Sequence, residues 1–564
     1  MILVGSKGKL AQHVLGTDLV RSDKNDLMKI IYQHKYWRLL EMVPGILAWS
    51  IIILPPIIAI KYPFAIAIMA IFYAVLWLFR SLRLSFKLYI SYRITQEAMN
   101  VNWNYLLDLI EHPEKLDGEQ IDLSSPFLKL QKGFYKELAG LKNNILRLKE
   151  KRQFLKPSQI YHAILFVTYK ESIDVVRESI KSYTESFYPH KKLMLVMGGE
   201  EGDKENFLKI AQQMENEFGD KFLKIIKTVH PKGLSGEIPG KSANATFAGK
   251  ELKKYLDGEE IPYEHVILSN FDADTVVHPN YFSELTYKYL MTEERSEKSY
   301  QPTHMFHNNI WDVPMMIRMV ALSCTFWRMA ESLDKNKYKS FSSRSMGFQT
   351  VIDTDYWDPS IIPEDSRQFW TAFLKYDGRH RVVSIYTPVY MDAVLSETYF
   401  ETFKSQYTQL RRWAWGVMDF PFMAINLARH PRISLWEKIY RIFFFLENAF
   451  FWATGPLIIM FAGYLPSLMN DEFRDHVFAY NLPHITSQML TIAAVGIVMC
   501  GIVSMIIVPN KKDMRWWDHI LLFIQWLLVP ITSVFLSAIP ALDAQTRLVF
   551  GKHLEYKVTK KARK

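Results

Sequence analysis

Asp272 and Asp274 stand two positions apart at the end of the apolar run 266–271. A run of this kind reads as a buried strand, and it delivers both carboxylates into the loop after it. Burying a charge without compensation is costly, so the pair must face something of opposite sign. A hard divalent cation holding a diphosphate is one answer, because Mg2+ is typically bound by one or two protein carboxylates together with substrate phosphates. Taken alone, D-x-D also suits an ordinary solvated loop. Three further groups carry chemistry. Gly240-Lys241-Ser242 opens a helix after a Gly/Pro-bearing loop, and a helix N-terminus bearing a lysine suits an anion. It is not a Walker motif, since Ser235 stands where that spacing needs glycine. Pro363-Glu364-Asp365 offers a carboxylate pair that can hold a general base, or a helix start favoured by the helix dipole. In Gln409-Leu410-Arg411-Arg412-Trp413, the arginines with Trp413 and Trp415 suit an interfacial anchor. That reading leaves Gln409 unexplained.

The elements that position these residues are set by hydrophobic pattern. Strand patterns at 160–168, 192–197, 222–229 and 265–270 alternate with helical patterns at 171–187, 203–217 and 241–256. Such alternation predicts a mostly parallel α/β sheet with helices on both faces. Ligands of such sheets bind beyond the carboxyl ends of the strands. Thr168–Glu171, Gly198–Glu201 and Asp272–Asp274 all fall at such ends.

The 564-residue chain is too long for one core. Its apolar residues are segregated. Segments 43–60 and 62–79 form one cluster, and 440–463, 487–508 and 518–540 form another. Each approaches the roughly 20 residues needed to span about 30 Å of hydrocarbon. Arg21, Lys24, Lys29, Lys35 and Arg38 precede the first hairpin, and Arg80, Arg83 and Lys87 come after it. The positive-inside rule therefore puts both flanks and the polar middle in the cytoplasm. The acidic segment with Asp471, Glu472 and Asp475 suits the outside, and Lys511, Lys512 and Arg515 return inside. Pro530 and Pro540 predict that 518–540 is a broken re-entrant or interfacial segment, leaving four full crossings. The +10 formal charge is spread over these flanks and the basic tail. It reads as topology and lipid contact rather than nucleic-acid binding. The basic amphipathic stretch 125–155 reads as a helix along the inner membrane surface or, equally, as a plain solvated helix. The first 42 residues lack the apolar core of a cleavable signal peptide. Cys324 and Cys500 suggest neither a disulfide framework nor a zinc site.

D-A-D, then P-E-D, then Q-L-R-R-W, placed between two membrane clusters, resembles the inverting membrane glycosyltransferases of family 2. These include the cellulose, chitin and hyaluronan synthases and the ceramide glucosyltransferases. Tyr556-Lys557-Val558-Thr559-Lys560-Lys561 is similar to the gating loop of bacterial cellulose synthases. The resemblance spans about 160–430 by motif. It implies a GT-A-like, Rossmann-like domain and a UDP-sugar donor bound with Mg2+ or Mn2+. On that resemblance Asp274 and Asp272 hold the metal, with Asp272 nearer the ribose. Glu171, Glu200, Lys241, Gln409 and Arg412 bind the nucleotide sugar, and Thr559 and Lys561 close over it. Asp365 takes the acceptor proton, while Glu364 and Trp413 contact the acceptor. Three departures stand out. Glu200 occupies the tip where the family places an aspartate, Pro363 replaces a threonine, and Gln301-Pro302-Thr303-His304 only loosely matches the acceptor-side Q-T-P segment.

The expected organisation is a cytoplasmic N-terminus (1–42), a transmembrane hairpin (43–80), a helical linker (81–158) and the GT-A-like domain (159–408). The Q-x-x-R-W and interfacial helices (409–435), C-terminal membrane helices (436–543) and the basic tail (544–564) complete it. The expected product is a growing polysaccharide, coupled to translocation through the cytoplasmic membrane. Single-addition glycosylation of a lipid is the alternative. A transporter or receptor with a nucleotide-binding domain is disfavoured, because the clusters carry few intramembrane charges.

Overall fold

The computed structural model describes residues 35–118, 132–238 and 240–554. At its centre are three strands with almost no exposed residue: β1 (Tyr161–Val167), β2 (Leu193–Glu200) and β4 (Val266–Phe271). Strands covered on both faces read as continuous apolar runs rather than as alternation, which is why the sequence marks them clearly. β3 (Lys224–His230) is one edge, and its Lys224 and Lys227 suit an edge that must not pair further. The eight-stranded order is β3-β2-β1-β4-β7-β6-β8-β5. It includes β5 (Val276–Val277), β6 (Lys298–Met305), β7 (Arg344–Gly347) and β8 (Arg381–Tyr390). β3, β2, β1 and β4 run parallel, as do β6 and β8. β7 and β5 are antiparallel to their neighbours. The sheet is therefore mixed, with a parallel half that carries Asp272 and Asp274 at its carboxyl edge. The register shift between β6 and β8 falls at Pro302/Thr303, where proline has no N–H to give to a ladder.

Helices cover both faces. The Ile173–Thr184, Lys204–Phe218 and Tyr281–Met291 helices share one buried cluster with Ile164, Phe166 and Phe271. The Lys241–Gly258 helix packs Ala245, Ala248 and Leu252 on the other face, against Leu165, Val196 and Leu268. At the tip of β2 the backbone needs glycine. A Cβ on Gly198 would strike the Asn244 side chain, and one on Gly199 the Phe207 ring.

Among the described residues, five helical segments are long and apolar enough to cross a membrane: Trp37–Lys61, Pro63–Asn100, Leu435–Phe461, Val477–Ile507 and Trp516–Val549. They leave Ile46, Ile53, Ile57, Ile68 and Phe72 exposed, an apolar surface far larger than single scattered residues would make and suited to lipid. One residue, Tyr62, joins the first two helices. The second helix runs on for 38 residues, so residue 80 lies mid-helix. Its later part docks on the α/β domain, through Arg83 on Asp334 at 3.0 Å and Ser91 on Ser332 at 3.2 Å.

The bundle has two distinct ends. At one, Asn470 Nδ2 donates to Ile60 O at 2.8 Å and Phe64 packs edge-on against Phe473. At the other, Trp311 of the α/β domain donates to Pro509 O at 2.7 Å. The fifth segment starts beside that loop, at Trp516. It finishes at Leu548 and Val549, whose carbonyls accept Arg38 Nη1 and Nη2 at 2.5 Å each. Arg38 opens the first helix, so both ends of the fifth segment meet the domain side. In between, the segment is broken by 3-10 geometry at Gln525–Leu528 and a π-turn at Val534–Ala538, with Leu536 at φ −113°, ψ 17°. Pro530 and Pro540 each sit in the first turn of a short helix. The linker differs from expectation. In the Lys132–Glu150 helix, Leu141 and Ile145 are buried in the core of the α/β domain rather than turned to a membrane surface.

Candidate active site

The Asp272–Asp274 turn is pinned from four directions. Ser179 Oγ donates to Ala273 O at 2.9 Å, Tyr183 Oη to Thr275 O at 2.9 Å, and Asn308 Nδ2 to Asp274 O at 3.0 Å. Asp272 N donates to Ser343 Oγ at 3.2 Å, and that hydroxyl also meets Thr275 Oγ1 at 2.7 Å. The two carboxylates differ. Asp274 is buried, and its Oδ2 accepts the backbone N–H of Asp392 at 2.8 Å. Asp272 keeps 24% of its side chain exposed and accepts Lys241 Nζ at 2.5 Å. Lys241 is the first residue of its helix, after Gly240. Burial first, then the charges of Asp274 and Asp272, push the Tyr183 hydroxyl well above its usual range. It therefore stays a donor to the turn.

The acid pair opens the helix Glu364–Lys375, in the first turn where carboxylates are favoured. Arg367 locks this helix. Its Nε donates to Asp419 at 2.9 Å and its Nη1 to Asp358 at 3.1 Å, all three side chains being buried. The backbone carbonyl of Asp358 accepts Ser242 Oγ, next to Lys241. Arg344, the first residue of β7, bonds Asp365 Oδ1 through Nη1. Its guanidinium is fully buried, and burial lowers it to about 10 while Glu364 and Asp272 draw it back up. Arg344 is thus within electrostatic reach of both the D-x-D turn and the acid pair.

Behind Asp272, Arg328 Nη1 donates to His304 Nδ1 at 2.9 Å. Burial, with Arg328, holds His304 down to about 3, against the pull of Asp272. It is a neutral polar wall. Gln301 Oε1 accepts Phe341 N at 2.7 Å. The Q-P-T-H segment therefore forms part of the wall behind the D-x-D turn.

Trp413, on the helix Tyr399–Ala414, lies 6.4 Å from the ring of Phe306 and belongs to the apolar cluster with Met305 and Met391. Phe306 is two residues from Asn308, which holds Asp274. Gln409 is buried and accepts Gln406 Nε2 at 3.3 Å. Arg411 binds Asp543 of the fifth segment, at 2.9 Å. Arg412 is half-buried beside Trp413. Trp415 turns away, buried with Ala48 and Ala449 and edge-on to His553. Glu171 is half-buried in the turn after β1, beside Lys170 at φ 58°. Glu200 bonds His230 Nδ1 at 3.0 Å, and His230 Nε2 meets Glu237 at 2.8 Å, at the tips of β2 and β3. Thr559 and Lys561 lie outside the described residues.

Three groups escaped sequence reasoning. Arg344 sits in a four-residue strand amid Ser342, Ser343 and Ser345, with no periodic signal. Arg328 looks like one more charge on a helix. Asp392 had a usable signal: it comes after the apolar end of β8 much as Asp272 comes after β4.

Among the described residues, no cluster of three or more His, Cys, Asp or Glu is placed to hold a metal ion. The Asp272 and Asp274 oxygens are hard donors. They fit a divalent cation whose remaining positions are filled by substrate phosphates, not an all-protein cage.

No family model and no curated protein matches the chain. Among solved structures, it is similar to the mannosyltransferase PcManGT from Pyrobaculum calidifontis in complex with GDP-Man and Mn2+. That match has a TM-score of 0.34 and 12% identity, covering 70% of this chain and 96% of that one. It is also similar to S. aureus TarS 1–349 in complex with UDP-GlcNAc (TM-score 0.33, 11% identity, 70% of this chain and 93% of that one). GalNAc-T7 with UDP, GalNAc and Mn2+ matches at TM-score 0.28 and 10% identity, over 51% and 57%. Scores this low transfer no function, so the function has to be read from the chain's own residues.

Proposed function

We propose that this chain is a membrane-embedded, family 2-type glycosyltransferase that moves a hexose from a UDP-sugar to an acceptor hydroxyl with inversion. The supporting observation is convergence. Arg344 bonds Asp365 and lies within charge reach of Asp272, so motifs about 90 residues apart in sequence meet at one sheet edge. Lys241 and Arg412 offer cations for the diphosphate, and fixed cations are most effective where charge develops on the leaving group. Asp365 accepts the hydroxyl proton as that oxygen attacks the anomeric carbon. The new C–O bond forms on the face opposite the breaking bond to phosphate, and UDP leaves with the electron pair. A bound Mg2+ or Mn2+, held by Asp272 and Asp274, supplies charge neutralisation of the diphosphate. Glu171 and Glu200 fit the nucleotide end, Gln409 the nucleotide or acceptor edge, and Glu364 and Trp413 the acceptor.

The reading puts the enzyme in the cytoplasmic membrane with the α/β domain inside, where nucleotide sugars are made. A growing polysaccharide is the acceptor it favours. Single addition to a lipid is the second reading, and one observation speaks for it. The apolar surroundings of Trp413 continue without a break into Val503, Ile507 and Leu522 of the membrane helices. UDP release from a panel of UDP-sugars, in detergent with Mg2+ or Mn2+, tests the activity. No release with any donor would sink it, and product length decides between the two acceptors.

A further inference from the structure

We infer that Arg344 is a positioning residue for the transfer step: it fixes Asp365 and keeps it ionised. This rests on the glycosyltransferase reading and deepens it.

The charge pattern motivates the assignment. Asp365 stands next to Glu364 on its own helix, and Arg344 lies within charge reach of both Glu364 and Asp272. Lys241 is engaged on Asp272, and Arg367 on Asp358 and Asp419 at the inner side of the Glu364–Lys375 helix. Arg328 is turned to His304. Arg344, by contrast, bonds Asp365 directly, through Nη1 on Oδ1. It engages Oδ1, so proton acceptance falls to Oδ2.

The placement of Arg344 is energetically costly, which argues that it is specified. The guanidinium is fully buried, and among the described residues its Nε and Nη2 have no partner. Burying a charge with unsatisfied donors is costly, so a purely structural element gains little from it. The residue before it, Ser343, is held at φ 51°, a left-handed conformation unusual for a residue other than glycine. The Ser343 hydroxyl bonds Asp272 N and Thr275 Oγ1. A single strained turn thus ties the D-x-D loop through Ser343 and the acid through Arg344. Donor loop and base are held in register by adjacent residues.

The chemical consequence is direct. A carboxylate beside like charges resists ionisation, and a guanidinium partner reverses this by about 1–3 pH units. The pairing lowers basicity, but it keeps the proton-accepting form populated and fixes the geometry of the accepting oxygen.

The experiment measures kcat and donor KM against pH for the parent, Arg344→Gln and Arg344→Lys. Glutamine removes the charge, so Asp365 ionises later and the acid limb of kcat moves up by about one pH unit or more. Donor KM stays within about threefold, and kcat at neutral pH falls at least ~10-fold. Lysine restores the charge without the planar fork, so it recovers most of the limb position and part of kcat. An unmoved acid limb in Arg344→Gln, or a lysine variant no better than glutamine, overturns the role. If Arg344→Gln does not fold, Arg344→Lys carries the test alone. A reduced kcat with a limb shifted by a fraction of a unit supports the role, and parent values of both overturn it. Absence of turnover in the parent itself sinks the glycosyltransferase reading, whereas an unmoved limb in an active parent sinks only Arg344.

Discussion

At the scale of single residues, Asp365 and Asp272 are separable by what their loss should do. Asp365→Asn keeps the shape of the side chain and its contact to Arg344 while removing the proton acceptor. Transfer is expected to fall by roughly 10²–10⁴-fold, the usual worth of general acid–base catalysis, with UDP affinity changed only a few-fold in a binding titration. Full activity in that variant would remove Asp365 from the mechanism. Asp272→Asn should instead raise donor KM and weaken the response to added metal. Chelation of divalent cations should abolish turnover in the parent, and Mg2+ or Mn2+ should restore it. Turnover in the presence of chelator would refute the shared metal site. These acids were legible in the sequence because apolar strands and a helix start deliver them at fixed spacings. Arg344 was not, because its strand is four residues long and offers no period to read. A buried cation is recognised by its partners, and partners 21 residues apart in sequence are invisible until the chain folds.

At the scale of elements, the helix that carries Asp365 is placed by Arg367 and its two buried carboxylates. Burial raises the Asp419 carboxyl, and Arg367 opposes that rise. Arg367→Met would strand Asp358 and Asp419, at a cost of about 3–5 kcal/mol for breaking a buried ion pair on one side. The expected result is a large drop in melting temperature, read by thermal denaturation in detergent; a melting temperature unchanged from the parent would contradict it. The sheet predicts a pH dependence of its own. His162 on β1 is fully buried, and burial alone pulls it down to about 3. Thr286 Oγ1 donates to Phe282 O, so it accepts from His162 Nε2–H, which assigns the neutral tautomer. A folded-state value below the ordinary 6.5 means stability that is present above about pH 6.5 and lost as pH falls towards 3. His304 and His380, each held at about 3, add the same sign. The melting temperature should therefore fall from pH 7 to pH 5. His162→Gln, which reaches Thr286 without titrating, should flatten part of that slope, and an equal slope in both proteins would refute the assignment. Strands β1 to β4 were legible to within a few residues because they are apolar throughout. The antiparallel insertion of β7 between β4 and β6 was not, because only long-range pairing defines it.

At the scale of the whole molecule, the membrane arrangement is set by which loops meet. Asn470 on Ile60 joins the turn of the first hairpin to the turn between the third and fourth segments, at the end away from the α/β domain. Trp311 on Pro509 and Arg38 on Leu548 and Val549 put the start and finish of the fifth segment at the domain end. We propose that this segment, with its start and finish at the domain end, bends back within the bundle, turning at its 3-10, π and proline interruptions. The prolines made the break legible in the sequence. The four-crossing reading also put its far end on the inner side; what the sequence did not show is the contact that holds that end, to an arginine more than 500 residues away in sequence. The prediction is one of accessibility. With Cys324 and Cys500 replaced by alanine, single cysteines are placed at Asp475, Lys512 and Lys552 and exposed to a membrane-impermeant maleimide in intact cells. Asp475→Cys should label from outside. Lys512→Cys and Lys552→Cys should label only after the membrane is opened, as cytoplasmic positions should. Labelling of Lys552→Cys from outside would mean that the fifth segment crosses fully, separating its C-terminal end from Arg38. It would also place everything after residue 552 on the opposite side from the nucleotide sugar, removing any role for Thr559 and Lys561 at the donor.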